Sequence, residues 1–386
     1  MAGLDGGLWR GMLTGGAALF VPEALFAQTA EPETTLEATY TLDLLANLDG
    51  GNRSGAQAMG LFDLVADADG AAIGADDLSF HLDLQIAHGG GFSDSDVGDA
   101  QVVSNIDAPD GIRPLEAWVG LGFGGGAGKI KAGLIDLNGD FDVQDTGALF
   151  INSSHGIGSD FSQTGRNGPS IFPTSASAVT LTWQAKGWSV RAGLFDAVAG
   201  DPARPRRTVV RFPGESGLLM VGEVDFALGD AASVQFGGWA YTSRFDPIDG
   251  ESSPRRDNRG IYGLIDGTLA RRGESALDAW VRVGTAKSAL NPIAVYVGGG
   301  IAWGDDASRL GLAIGQARLG DPAIRAGIAA GTRPDRAETV FELTWAVQVD
   351  ARMIVQPDMQ YVINPAWDRA KRNALVGGVR VQFALF

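Results

Sequence analysis

Three histidines, His81, His88 and His155, are the imidazoles of this 386-residue sequence, and no cysteine accompanies them. Histidine is the common ligand for a transition metal and the common proton carrier near neutral pH. Neither use is set up here. His81 and His88 lie in one alternating stretch but differ in parity. A single strand therefore points them to opposite faces and cannot aim both at one ion. No H-E-x-x-H and no G-x-S-x-G run occurs. "GLGFGG" at 120–125 fits the letters of a phosphate-cradling G-x-G-x-x-G, yet a strand pattern follows where a helix should open, so it reads as a turn. "DADG" at 67–70 has too few ligand positions for a calcium loop. The chemistry-bearing residues that remain are spaced by two: His81 with Asp83, Glu116 with Trp118, Lys129 with Lys131, Glu223 with Asp225, and Trp280 with Arg282. That spacing puts each pair on one face of a strand. A row of charges and indoles on one face makes no bond. It sets a field and offers hydrogen bonds to whatever passes. No catalytic residue, cofactor or metal site is expected, and an enzyme is the weakest of the functional readings.

The opposite parity of the same stretches is apolar. In "LSFHLDLQIAH", Leu78, Phe80, Leu82, Leu84 and Ile86 oppose Ser79, His81, Asp83 and Gln85. In "LDAWVRVG", Leu277, Ala279, Val281 and Val283 oppose Asp278, Trp280 and Arg282. Such alternation is the mark of a β-strand with one apolar face. Sixteen segments of this kind follow one another: 36–49, 57–67, 78–88, 114–124, 128–136, 177–185, 187–196, 218–228, 232–242, 260–270, 275–284, 292–303, 307–317, 338–348, 351–361 and 374–386. In a soluble sandwich the apolar parity meets a protein core, whereas in a membrane barrel it meets lipid and the polar parity meets a wet lumen.

The connections separate these two cases. Very short links, such as 271–274 and 304–306, alternate with long ones, such as 89–113, 137–176, 197–217 and 243–259. That order belongs to a barrel with tight turns on one rim and long loops on the other. The link 68–77 is long for a turn, and 285–291 is short for an outer loop. Trp183, Trp188, Tyr241, Tyr262, Trp303 and Tyr361 stand near segment ends, where an aromatic girdle would lie. After residue 27 nothing approaches the roughly 18 apolar residues of a spanning helix. A membrane protein of this sequence must therefore cross as a closed barrel. Residues 1–27 read as a secretory signal, with Arg10 before an apolar run and "ALFA" at its end, leaving 28–386 as the barrel domain. The net charge of −16 disfavours a nucleic-acid partner. The expected fold is all-β: a transmembrane antiparallel barrel of about 16 strands.

Several blocks, in this order, resemble the carbohydrate-selective outer-membrane porins of the OprB type: "YTLDLLANLDGG" (40–51), "SNIDAP" (104–109), "AGLIDLNGDFD" (132–142), "ALFINSSHGIG" (148–158), "FELTWAVQVDARMIVQPDMQYVINP" (341–365) and "ALVGGVRVQF" (374–383). The resemblance implies a Gram-negative outer-membrane channel for passive diffusion of small carbohydrates. It also implies export through the periplasm, insertion by the barrel assembly machinery and a lipid bilayer as partner. A general diffusion porin, or one for another small solute such as an organic acid, is the alternative; a soluble secreted β-protein is a further one. The resemblance implies as well that the long loop 137–176 folds inward as a constriction, bringing Asp142 and His155 into the lumen. Parity adds Glu116, Trp118, Lys129, Lys131, Arg191, Trp239, Trp280 and Arg282 as pore-lining candidates, with Glu116, Trp118, Lys131 and Arg282 placed near the constriction. Sugar hydroxyls would pair with the charges, and sugar C–H faces would lie on the indoles. Phe386 falls one residue out of phase with Phe383 and Leu385, which a bulge near the end would repair.

Overall fold

A computed structural model describes residues 34–210, 216–250 and 253–386, so the expected signal at 1–27 lies outside the described residues. Sixteen strands follow in chain order: β1 Thr34–Asp49, β2 Gly55–Asp69, β3 Leu78–His88, β4 Gly111–Phe123, β5 Gly128–Ile135, β6 Ala176–Ala185, β7 Trp188–Asp196, β8 Leu218–Leu228, β9 Ala232–Tyr241, β10 Arg259–Arg272, β11 Ser275–Ala286, β12 Ile293–Gly304, β13 Ser308–Leu319, β14 Ala337–Asp350, β15 Met353–Ile363 and β16 Ala374–Ala384. Each pairs antiparallel with its sequence neighbours, and β1 pairs with β16, closing the barrel. Every alternating segment is present as a strand, with ends displaced by no more than three residues. Closure leaves no edge, so every strand finds backbone partners on both sides without water, as the bilayer interior demands.

The outward parity is apolar and exposed: Leu44, Val179, Leu181, Phe236, Leu312, Phe341 and Leu343 are among many such side chains. Around a soluble protein so continuous an apolar surface would aggregate; here it is the lipid-facing belt. No described helix is long and apolar enough to cross a membrane. The short and long links fall on opposite rims. The link after β2 is long because it folds on itself. Asp69 accepts from the Ala71 amide at 3.0 Å and caps a helical turn over Gly70–Ile73, which Gly74 ends in the left-handed conformation. The short link after β11 is a tight return, with the Leu290 and Asn291 amides both donating to the Lys287 carbonyl at 3.0 Å. At the C-terminus the β1–β16 register runs unbroken from Thr39↔Ala384 to Asn47↔Val376. Beyond it two residues oppose one, the bulge expected near the end: Leu385 donates to the Ala38 carbonyl at 2.8 Å. The Phe386 carbonyl, one residue further on, accepts from the Ala38 amide at 3.2 Å, so the last residue is re-phased.

The lumen is not an open pipe. The loop after β5, 136–175, folds inside, and Leu137, Phe141, Ile157 and Phe161 pack against Phe195, Leu219, Trp239 and Tyr262 of the wall. Further along it, Leu149 and Phe150 pack on Leu264, Trp280 and Ile354. The loop after β3, 89–110, also turns inward. Its Phe92, Val97, Val103 and Ile106 pack on Leu45, Met59 and Leu61 of β1 and β2 and on Val340, Val362 and Val376.

Candidate functional site

Beyond a few short helical turns, such as Ser93–Val97 and Ser159–Ser162, the two in-folded loops have no regular partners, so many of their backbone N–H groups must find acceptors elsewhere. Carboxylates of the wall supply them. Glu223 on β8 accepts from the Asp142 amide at 2.8 Å, and Asp266 on β10 from the Thr146 amide at 2.8 Å. Glu342 on β14 takes two, from Ile151 at 2.5 Å and Asn152 at 3.0 Å. Glu338, four residues earlier on the same face of β14, accepts from Ala100 and Gln101 of the other loop, and also from Ala366. The loops bind each other as well: Asn105 donates to Ile151 at 2.8 Å, and Ser153 to Val102 at 2.9 Å. Amide-to-carboxylate bonds are about twice as strong as neutral ones, which suits a loop with little regular structure.

Arg282 on β11 closes this seat. Its guanidinium forks onto Asp142, with Nε at 3.1 Å and Nη2 at 2.7 Å, and its Nη1 donates to Asp160. All three side chains are 0% exposed. Burial raises both loop carboxyls, Asp160 to about 6, against the pull of the Arg282 charge. His155 is enclosed between Phe150 and Trp280, with ring centroids at 5.4 and 5.6 Å, and burial pushes its imidazole down to about 3. Trp239 is covered by Phe161, stacked at 5.2 Å. Asp142, His155, Trp239, Trp280 and Arg282 thus gather around the seated loop, and none of the five presents more than 3% of its surface to solvent.

Arg191 sits at a third position, mostly buried, between Glu223 at 2.9 Å and Asp225. The other four candidates meet on the β3–β5 wall, which the loop covers less completely. Trp118 is the hub. His81 stacks on its ring at 5.0 Å, and the ammonium groups of Lys129 and Lys131 stand 5.0 and 4.9 Å from it. Lys131 pairs with Asp140 at 2.6 Å, tying the wall to the loop's first turn. His81 bonds Asp67 at 2.7 Å, and Glu116 accepts from the Asp136 amide at 3.1 Å. The side chains of His81, Glu116, Lys131 and Asp140 keep between 14% and 16% exposure. His88 lies on the outer face instead, bonded to the Tyr40 hydroxyl at 2.9 Å.

Above this wall, between the two loops, a chamber of about 230 Å³ is lined by Gln101, Asn105, Asp107, Asp136, Asn138, Ser153 and Ser154, with Phe150, Ile157 and Phe172 as its apolar side. Asp136 borders the chamber, and its amide bonds Glu116, so chamber and wall are contiguous. None of the chamber residues was legible as a site. The available signal was the run of apolar residues, Phe92, Val97, Val103 and Ile106, in a link otherwise polar enough to pass for a surface loop.

The model of the carbohydrate-selective porin family OprB matches residues 53–385. No curated protein matches the chain. Among solved structures, Pseudomonas putida OprB at high pH aligns with a TM-score of 0.79 and 18% identity, covering 91% of this chain and 94% of that one. The same protein at low pH gives a TM-score of 0.57 with 15% identity over 91% of this chain and 92% of that one. A mutant of Rh. blastica porin gives 0.54 and 12% over 92% of this chain and 100% of that one.

Proposed function

The chain belongs to the carbohydrate-selective porins of the OprB family, and on that footing we propose that sugar crosses its lumen along the wall the two loops cover least. It is a porin of the Gram-negative outer membrane, and its barrel is a channel for carbohydrate diffusion. The proposed path enters the chamber between the loops, passes Asp136 and Glu116, and leaves past Lys131, Trp118 and Lys129. The observation that carries it is the uneven cover. Trp280, Arg282 and Glu342 are at most 1% exposed, while Lys129 on the β5 wall is exposed. Amides and hydroxyls in the chamber match sugar hydroxyls, and mixed charges below it offer several weak sites in series, as passage requires. The channel makes and breaks no bond. Liposome swelling with glucose, larger sugars, neutral non-sugars and gluconate tests the reading. Faster entry of small sugars than of size-matched solutes is expected; equal rates for equal sizes would mean a general diffusion pore. Residues 1–27 direct export through the periplasm, and the barrel assembly machinery inserts the mature chain. N-terminal sequencing of the purified protein should begin near Gln28.

A further inference from the structure

The lipid-facing wall is not uniform. Near the outer rim, outward positions on β8 and β9 carry Gly222, Gly238 and Ala240, in adjacent register. Met220, Phe236 and Ile261 stand around them, 42%, 58% and 67% exposed. The result is a groove of about 680 Å³ on the outside of the barrel. Its floor is open: a side chain started at Gly222 would meet nothing nearer than the Arg191 carbonyl at 3.9 Å. Two cations close the upper end. Arg259 pairs in register with Ala240, and the Lys287 amide donates to the Arg259 carbonyl at 2.9 Å. Both residues border the groove. No described residue forms an ion pair with Arg259, while Lys287 lies 3.3 Å from Asp257, which Arg255 also holds at 3.1 Å.

An apolar wall alone solvates any lipid tail. A concave stretch with cations at one end distinguishes lipids by headgroup. The end in question is the rim that carries the long loops, which in such barrels faces the cell exterior. A guanidinium and an ammonium side by side suit a phosphate better than a zwitterion. We propose that this groove binds one acyl chain of the phosphorylated glycolipid of the outer leaflet, with its phosphate on Arg259 and Lys287. The site lies outside the lumen, so it stands apart from the sugar path.

Native mass spectrometry of the detergent-purified barrel tests this, with a bisphosphorylated, hexa-acylated diglucosamine lipid and its dephosphorylated form as probes. The wild type should retain one phosphorylated lipid. The Arg259→Ala, Lys287→Ala double variant should hold it about tenfold or more weakly, as loss of charge-assisted bonds implies. Gly222→Leu fills the groove with both cations in place and should weaken retention likewise. Heat-modifiable migration checks that each barrel is closed, and glucose entry into liposomes should match the wild type. Equal retention by wild type and both variants overturns the proposal, and so does equal retention of the dephosphorylated lipid.

Discussion

Arg282→Met should unseat the constriction loop and widen the channel. The arginine makes a two-pronged contact with Asp142 and a third with Asp160, all fully buried. Replacing it leaves two carboxylates in a dry site with no counter-charge. Removing one partner of a buried ion pair costs roughly 3–5 kcal/mol. At about 1.4 kcal/mol per decade, the lower bound alone shifts the balance between seated and released loop by about a hundredfold. The barrel does not depend on this contact, because its strands are held by their own ladders. Single-channel recording in planar bilayers should therefore show raised conductance, and liposomes should admit larger sugars. Adding Asp142→Asn and Asp160→Asn removes the stranded charges and should bring conductance back toward wild type. If Arg282→Met leaves conductance and size limit unchanged in a barrel that still migrates as folded, the anchoring argument fails. Loss of sugar block at unchanged conductance would mean that Arg282 touches the solute after all.

Lys131→Ala strips the cation from Asp140 and should shift the reversal potential in a salt gradient toward cation preference, with weaker block by sugar. Glu342→Ala leaves the Ile151 and Asn152 amides without their acceptor and should expose the middle of the loop to protease at a cost of about 1–3 kcal/mol. His155, held down to about 3 against an ordinary value near 6.5, favours the seated loop fully above that ordinary value and progressively less as pH falls through it. At pH 5 the loss is about 2 kcal/mol, so wild-type conductance should rise on acidification more than that of His155→Phe, even though Glu342 lies 3.6 Å away.

The barrel was legible because the bilayer enforces a simple rule, apolar outward and polar inward, on every strand. Leu277, Ala279, Val281 and Val283 obey it without exception, and the sixteen strands followed. The interior was less legible, since inward parity does not say whether a side chain meets water or a loop. Trp239 and Trp280 look the same in sequence as Trp118, yet Phe161 covers one, His155 abuts the second, and only the third, stacked on His81, keeps part of its surface free. Glu338 and Asp266 shared the parity of known lumen residues but gave no sign of receiving main-chain amides. The inward turn of 89–110 left no periodic trace, because an irregular chain buries apolar residues wherever its bends happen to put them.

Holding a loop by its main chain has a further consequence. Glu223, Asp266 and Glu342 grip amides at Asp142, Thr146, Ile151 and Asn152, a feature that most residues at those positions would supply equally well. The barrel is in this sense a socket, and the loop an exchangeable insert. Substitutions at Ser153 or Phe150, which border the chamber, can retune what passes while the socket stays the same. A scaffold of this kind invites grafting: a loop of equal length with a different chamber lining should seat in the same carboxylates and turn the same barrel to another solute.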